Sequence, residues 1–231
     1  MSIIEQSRSD GDGSVLLIDK PAGMTSFGVV ARVRRVLSQQ QGKKVKVGHC
    51  GTLDPFATGL LIIVTGAECK HAGTYTKLDK VYEATVTLGA TSSTGDPEGV
   101  VSPQKLPGGQ PSLTRVQAVL QQYTGEISQQ PPAFSAIKIN GQRAYKLARE
   151  GKPVDVPVRM VTVHSITLLY YNYPELRIRV HVSSGTYIRS LATDIGAALG
   201  TGAYCSQLRR ISIANWHITE AKTLEDFGIE S

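Results

Sequence analysis

One short segment of the sequence concentrates residue types that can carry out catalysis. Residues 48–59 contain three glycines, one histidine (His49) and one carboxylate (Asp54), and they lead into an apolar run. Glycines let the backbone approach a ligand closely, and Pro55 favours an extended conformation at Asp54. The apolar neighbours of Asp54 would suit a carboxylate that serves as a nucleophile or a general base. The same Asp-Pro pair is also typical of an ordinary turn.

A second segment, residues 184–191, is predicted to be a loop that enters a helix. It contains Arg189, which falls in the first helical turn, where the helix dipole does not favour a cation. The spacing leaves two interpretations open. Arg189 is either a surface arginine or an arginine directed into a cleft, where it would pair with a carboxylate or a phosphate.

A third segment, residues 131–149, interleaves basic with aromatic side chains. The basic residues are Lys138, Arg143, Lys146 and Arg149, and the aromatic ones are Phe134 and Tyr145. This mixture suits RNA, because bases stack on aromatic rings while phosphates pair with cations. A solvated basic helix face would explain the same residues.

Composition narrows the class of function. The net charge of +6 and the isoelectric point of about 9.2 favour a polyanionic partner. The sequence contains no HExxH, CxxC or GxSxG pattern, and the glycines of residues 48–59 do not match a phosphate-binding loop. Three cysteines without paired spacing indicate a reducing, cytoplasmic location, and no run of about 18 apolar residues predicts a membrane span.

The elements that must position these residues follow from hydrophobic periodicity. Strands are predicted at residues 14–19, 60–65, 80–88, 161–171 and 176–182, and helices at 26–38, 113–123, 143–150 and 187–199. Ser26 is predicted to cap the first helix, and the spacing of Thr223 and Asp226 predicts a capping box for a last short helix. The irregular alternation predicts a mixed α/β (α+β) domain rather than a doubly wound parallel sheet.

Taken together, five segments resemble the TruB-type tRNA pseudouridine synthases over roughly residues 14–218. They are DKPAGMTS at residues 19–26, the segment 48–59, KVY at 80–82, and the segments 131–151 and 184–189. The pattern GHxGTLDP within the second is highly specific to this family. The resemblance implies a central, mostly antiparallel sheet with flanking helices and an RNA-binding catalytic cleft, and it implies no metal and no organic cofactor.

The resemblance also implies roles for individual residues. Asp54 aligns with the catalytic aspartate, and Arg189 with the arginine that pairs with that aspartate and keeps it ionised. Tyr82 aligns with the tyrosine that stacks on the target base, and His49 with the histidine that enters the RNA loop and supports base flipping.

Four further positions match the family. Tyr187 and Leu208 align with residues that line the pocket, and Lys20 and Pro21 belong to a motif that mainly supports the active-site loop. Phe134 stands where many relatives have tyrosine.

The expected reaction converts uridine 55 in the T-loop of tRNA to pseudouridine. The glycosidic bond must move from N1 to C5 of the base, and a base within a folded loop must first be flipped out. A carboxylate could attack C1′, attack the base, or assist glycal formation by removing a proton. The sequence leaves these three routes open.

We expect residues 1–13 to be a flexible lead-in and residues 14–231 to form the catalytic domain, without the complete C-terminal PUA domain of many relatives. The guide-RNA-dependent dyskerin-type relatives carry that domain, so no guide RNA is expected, and a monomer is the default expectation. Two alternatives remain within the same fold: a protein that assists tRNA folding without modifying it, and a synthase for ribosomal or several RNAs. A small-molecule enzyme is disfavoured by the basic charge.

Overall fold

The computed structural model describes residues 8–9, 13–135, 137–139, 141–151 and 154–229 of the 231-residue chain. The protein is a mixed α/β protein with a large, mostly antiparallel sheet, which confirms the predicted fold class. Among the helices described, none is long and apolar enough to cross a membrane.

The strands and helices alternate irregularly along the chain. The strands are β1 (Arg8–Ser9), β2 (Ser14–Lys20), β3 (Val47–His49), β4 (Thr58–Thr65), β5 (Lys80–Leu88), β6 (Ala90–Ser92), β7 (Val101–Pro103), β8 (Gly125–Gln129), β9 (Lys138–Ile139), β10 (Gln142–Arg143), β11 (Arg159–Asn172), β12 (Glu175–Val182), β13 (Ala203–Ile213) and β14 (Trp216–His217). The helices are α1 (Ser26–Gln41), α2 (Ala72–Thr76), α3 (Leu113–Gln122), α4 (Ala144–Arg149) and α5 (Ile188–Leu199).

The chain divides into two compact units. The first unit consists of Met1–Val81 and Arg209–Ser231, and the second of Tyr82–Leu208. The predicted flexible lead-in falls mostly on residues that lie outside the described ranges, although β1 pairs antiparallel with the start of β2. The predicted extent of the catalytic domain, residues 14–231, stays a prediction.

The first unit is built around β4, whose residues 60–64 are completely buried. This strand pairs antiparallel with β2 and with β3, and parallel with the second half of β13 at Arg209 and Arg210. Because side chains alternate across a strand, successive residues enter different hydrophobic clusters. Leu61 and Ile63 pack in the cluster that includes the buried face of α1. The other residues of the run pack with Ile213.

Helix α1 begins and ends differently from its prediction. The residue that caps it is Thr25, whose hydroxyl accepts a hydrogen bond from the Gly28 N–H at 2.9 Å. Ser26 is already helical and directs its hydroxyl elsewhere. The helix also continues to Gln41 and stops at Gly42, which adopts a left-handed conformation that suits glycine.

The second unit contains the antiparallel neighbours β12, β11 and β8, and the part of β5 from Tyr82 onwards. Buried and half-buried residues alternate strictly along β5, as the sequence predicted. Helix α5 buries Ile188, Leu191 and Ile195 as predicted, whereas Leu199 is only partly buried.

The predicted capping box near the C-terminus is present. The Thr223 N–H donates to the Asp226 carboxylate at 2.8 Å, and the Asp226 N–H donates to the Thr223 hydroxyl at 3.2 Å. The helix that follows is a single 3-10 turn, Glu225–Phe227. Because Phe227 is buried with residues of the α1 cluster, this cap fixes the C-terminal segment onto the first unit.

Candidate functional site

Asp54 lies, half-buried, in the loop that joins β3 to β4 in the first unit. The residue before it is fixed by a long-range contact. The Leu53 N–H donates to the Ser26 hydroxyl at 2.8 Å, and the same hydroxyl donates to the Leu53 carbonyl at 3.0 Å. Ser26 and Leu53 are 1% and 3% exposed, so both hydrogen bonds are shielded from water. One side chain therefore satisfies both backbone groups next to Asp54.

The residue after Asp54 is fixed from the same side. The Pro55 carbonyl accepts a hydrogen bond from the Gly23 N–H at 2.8 Å and another from the Lys20 ammonium at 3.3 Å. Lys20 is completely buried, and it also donates to the carbonyls of Pro21 and Met24, at 2.7 Å each. The DKPAGMTS segment therefore contacts the backbone on both sides of Asp54. Such contacts fix the backbone from which the Asp54 side chain extends.

Arg210 supports the other end of this loop, and no pattern in the sequence indicated this role. Its guanidinium is 1% exposed and donates to the carbonyls of Leu60, at 2.7 Å, and Gly51, at 3.1 Å. Gly59 has a φ of 103° and lies against the Arg210 backbone, where an added Cβ would come within 2.4 Å of an oxygen. Only glycine fits at this position.

Two other residues of the segment 48–59 have defined surroundings. His49 ends β3, opposite Ile63 of β4, and is half-buried. Cys50 is completely buried, and this burial raises the pKa of its thiol to about 12. A thiol with such a pKa is not a thiolate at neutral pH, so its burial argues against Cys50 as a nucleophile.

Lys80 is a second buried cation near Gly51, in the KVY motif. Its ammonium donates to the carbonyls of Thr76, at 2.6 Å, and Leu78. Lys80 is 5% exposed, and burial together with the nearby Arg210 guanidinium lowers its pKa to about 8.

In the second unit, Arg189 is a buried residue, so the surface interpretation is wrong. It is 3% exposed, and its guanidinium donates to the Asp96 carboxylate at 2.9 Å. It also donates to the backbone carbonyls of Thr94 and Phe134, at 2.8 Å each. The observed partner, Asp96, was not foreseen, and it is itself 2% exposed.

Asp96 is held by its own turn. Its carboxylate accepts hydrogen bonds from the Glu98 N–H at 3.0 Å and from the Thr94 hydroxyl. The preceding Gly95 has a φ of 75°, and an added Cβ would lie 3.5 Å from that of Arg189. The only sequence signal was the sequence TGD within a glycine- and proline-rich stretch, which is typical of a turn but does not identify a partner.

The other predicted pocket residues of the second unit are Tyr82, Leu208 and Tyr187. Tyr82 lies on the buried face of β5 and is 8% exposed, and Leu208 on β13 is 7% exposed. Tyr187 precedes α5, and its backbone exchanges two hydrogen bonds with the Gln129 amide, at 2.8 and 3.0 Å. The Arg159 guanidinium lies 5.1 Å from the centre of the Tyr187 ring, which is a cation–π distance.

The segment 131–149 is described only in part. Phe134 is half-buried and Lys146 is exposed. The side chains of Lys138, Arg143, Tyr145 and Arg149 lie outside what the structure describes, so the proposed alternation of basic and aromatic groups stays a prediction.

Comparison with solved structures identifies chains with a similar fold. The chain is similar to a crystal structure of a Cbf5–Nop10–Gar1 complex, with a TM-score of 0.70 and 30% sequence identity, over 92% of this chain and 52% of that chain. It is also similar, with a TM-score of 0.65 and 25% identity, to a structure of an H/ACA RNP bound to a substrate RNA containing 2′-deoxyuridine. The chain spans about half the length of the first of these chains and 64% of the second.

Sequence comparison identifies the family. Residues 34–188 match the model of the TruB family pseudouridylate synthase N-terminal domain, and residues 189–229 that of the tRNA pseudouridylate synthase B C-terminal domain. The tRNA pseudouridine synthase B of Azoarcus sp. (strain BH72) is 45% identical over 214 residues, which cover 91% of this chain and 68% of the relative. That of Phocaeicola vulgatus is 42% identical over 217 residues, which cover 94% and 92%. The chain belongs to the TruB family of pseudouridylate synthases.

Proposed function

We propose that this protein is a tRNA pseudouridine synthase that isomerises uridine 55 in the T-loop of tRNA, by base flipping and with Asp54 as the nucleophile. The substrate is supported by relatives named tRNA pseudouridine synthase B, which are 42–45% identical over more than nine-tenths of this chain. The excess of 25 basic over 19 acidic residues is consistent with a polyanionic substrate.

The assignment of the nucleophile to Asp54 is supported by the hydrogen bonds that fix the residues on either side of it. Leu53 is bonded to Ser26, and Pro55 is bonded to Lys20 and Gly23. The backbone that bears the carboxylate is thereby held in place before a substrate arrives, which lowers the entropic cost of reaching the transition state. An ordinary surface turn would not need a completely buried lysine beneath it.

The remaining roles rest on the resemblance. In this proposal, His49 enters the RNA loop and supports flipping, Tyr82 stacks on the flipped base, and Tyr187 and Leu208 line the pocket. Unstacking a base costs a few kcal/mol, and stacking on an aromatic ring returns about 1–3 kcal/mol.

Arg189 is proposed to face the nucleophile as its counter-charge. Its burial and its three described hydrogen bonds would hold the guanidinium in one orientation. Lys20 and Pro21 are proposed as supporting residues. Attack at C1′, attack at the base and the glycal route all use a carboxylate in this position.

We further propose that the protein acts as a monomer in the cytoplasm, without a guide RNA. Support for independence from a guide comes from sequence identity, which is 42–45% to the proteins named tRNA pseudouridine synthase B and 30% to the Cbf5 complex. No cofactor enters the proposed reaction, because the isomerisation neither oxidises nor reduces the base.

A tritium-release assay tests the proposal. The C5 hydrogen of uridine is lost when C5 becomes bonded to the sugar, so an unmodified tRNA transcript labelled with 5-tritiated uridine reports turnover directly. We expect release with the wild type and none with Asp54→Asn, while the variant binds tRNA within about tenfold, or 1.4 kcal/mol.

The control is a second transcript in which uridine 55 is replaced by cytidine. Release from that transcript would redirect the proposal to another position. Appreciable release by Asp54→Asn would remove Asp54 as the nucleophile, and binding without release by the wild type would favour a role in RNA folding.

A further inference from the structure

A long stretch of the first unit carries only positive charge. Residues 20–53 contain no aspartate or glutamate, although the whole chain has 19 acidic residues. The same stretch holds seven basic residues: Lys20, Arg32, Arg34, Arg35, Lys43, Lys44 and Lys46. Lys20 is buried, whereas the other six are exposed or half-buried, and a cluster of exposed cations favours an anionic partner.

One of these cations, Arg35, lies on an exposed stripe of α1. Residues at four-residue spacing share one face of a helix, and Phe27, Ala31, Arg35 and Gln39 are all exposed at that spacing. Lys43 and Lys44 follow the end of the helix and are also exposed. The segment is tied to the last turn, because the Val45 N–H donates to the Ser38 hydroxyl at 3.0 Å.

The stripe also presents an aromatic ring to solvent. Phe27 is 65% exposed, which is unusual for a phenylalanine, and the Arg34 guanidinium lies 5.8 Å from the centre of its ring. An exposed ring beside a cation is an arrangement that contacts nucleic acid by stacking and by charge. The stripe begins at an open depression of about 460 Å³, lined by residues 21–25, Gly28 and Arg32.

The helix sets the distance between the two ends of the stripe. Its first residue, Ser26, is bonded to Leu53, next to Asp54. Its 16 residues span about 24 Å, so Lys43 and Lys44 lie about that far from the start of the helix. A flipped base and its immediate neighbours would not reach these lysines, whereas a longer RNA would.

We propose that the exposed stripe of α1, with Lys43 and Lys44, binds the sugar–phosphate backbone of the substrate RNA outside the target loop. This inference rests on the proposed function, because it takes RNA to be the substrate. The stripe contributes to affinity and not to the chemical step. It favours long RNA over an isolated hairpin that contains the same uridine.

The test compares two triple variants of equal net charge. Arg35→Gln/Lys43→Gln/Lys44→Gln removes the cation of the stripe and the two lysines that follow α1. Lys105→Gln/Arg115→Gln/Lys222→Gln removes three other exposed cations, all outside residues 20–53. Each variant is measured against a full-length tRNA transcript and an isolated T-arm hairpin, for dissociation constant at several salt concentrations and for kcat and KM.

We expect the α1 variant to bind full-length tRNA roughly tenfold more weakly at low salt. We also expect its slope of log K against log salt to be smaller by about 2–3, roughly one for each phosphate that the variant no longer neutralises. Its affinity for the hairpin and its kcat at saturation should stay within about twofold, and the control variant should resemble the wild type.

Three outcomes would overturn the inference: unchanged affinity for tRNA, equal decreases in the two triple variants, or equal decreases on tRNA and hairpin. The last would place the binding residues against the target arm. Wild-type conversion of the same transcript is measured in parallel. If the wild type binds tRNA but does not convert it, the proposed function fails, while the comparison of affinities still decides the role of the stripe.

Discussion

Replacing Ser26 by alanine tests whether the position of Asp54 depends on the DKPAGMTS segment. The Ser26 hydroxyl accepts a hydrogen bond from the Leu53 N–H at 2.8 Å and donates one to the Leu53 carbonyl at 3.0 Å. The variant removes a single oxygen atom, keeps the helix propensity high and leaves both backbone groups of Leu53 without this partner.

The expected loss of stability follows from these two groups. A buried polar group that loses its partner costs about 1–3 kcal/mol, so the two together should lower the free energy of unfolding by about 2–4 kcal/mol after relaxation. For a chain of this length, each kcal/mol lowers Tm by about 2–4 °C, which gives roughly 4–16 °C in total. Turnover should also fall, because a small displacement of a catalytic group can cost up to about a hundredfold. We expect kcat to decrease by at least about tenfold (1.4 kcal/mol).

The adjacent hydroxyl provides a matched control. Thr25→Ala removes the helix cap, in which the Thr25 hydroxyl accepts from the Gly28 N–H at 2.9 Å, but leaves the contact between Ser26 and Leu53 in place. It should cost about 1 kcal/mol of stability and change kcat by less than about twofold. Thermal unfolding and tritium release are measured for both variants. If Ser26→Ala loses no more stability and no more turnover than Thr25→Ala, the contact does not position Asp54.

Two further predictions concern the buried charges. Asp96→Asn keeps the shape of the side chain but removes the charge that faces Arg189 at 2.9 Å. The free energy of unfolding, measured in urea, should therefore decrease by an amount on the order of 3 kcal/mol. A decrease below about 1 kcal/mol would show that this ion pair contributes little to stability. Lys80 has a pKa lowered by burial to about 8, so between pH 8 and its unfolded value near 10.5 the unfolded chain binds more protons than the folded one. The free energy of unfolding of the wild type, relative to that of Lys80→Met, should therefore rise with pH across that window and be constant below it. If this difference between the two proteins fell from pH 8 to 10.5, the lowered pKa of Lys80 would be contradicted.

Local patterns predicted the elements in which the type of each residue matches the burial of its position. Residues along β5 alternate between buried and half-buried positions, so the strand could be predicted to the residue. The completely buried run in β4 was equally clear, because it consists only of aliphatic residues. Residue types and spacing indicated Asp54, His49 and Arg189 as candidates but left their roles open. Those roles, and the choice of Tyr82, Tyr187 and Leu208, came from the resemblance.

Contacts between distant parts of the sequence could not be predicted in this way. Asp96 and Arg189 are 93 residues apart, and neither residue type indicates the other. Strand β13 was missed because its polar residues interrupt the alternation, and Arg210 is buried only because its guanidinium reaches the carbonyls of Leu60 and Gly51. The choice between Thr25 and Ser26 as the helix cap has the same cause. Both are good caps, and the engagement of Ser26 with Leu53 leaves Thr25 to cap the helix.

The first two motifs of the resemblance are physically one structure. Lys20 carries a compact charge with three donors, and the carbonyls of Pro21, Met24 and Pro55 lie within 3.3 Å of its ammonium. A planar guanidinium could not direct its donors at three oxygens grouped around one point, so lysine suits this position better than arginine. Two of these carbonyls belong to the turn before α1 and the third to the residue after Asp54. A single buried ammonium therefore couples the path of the chain into α1 to the position of the proposed nucleophile.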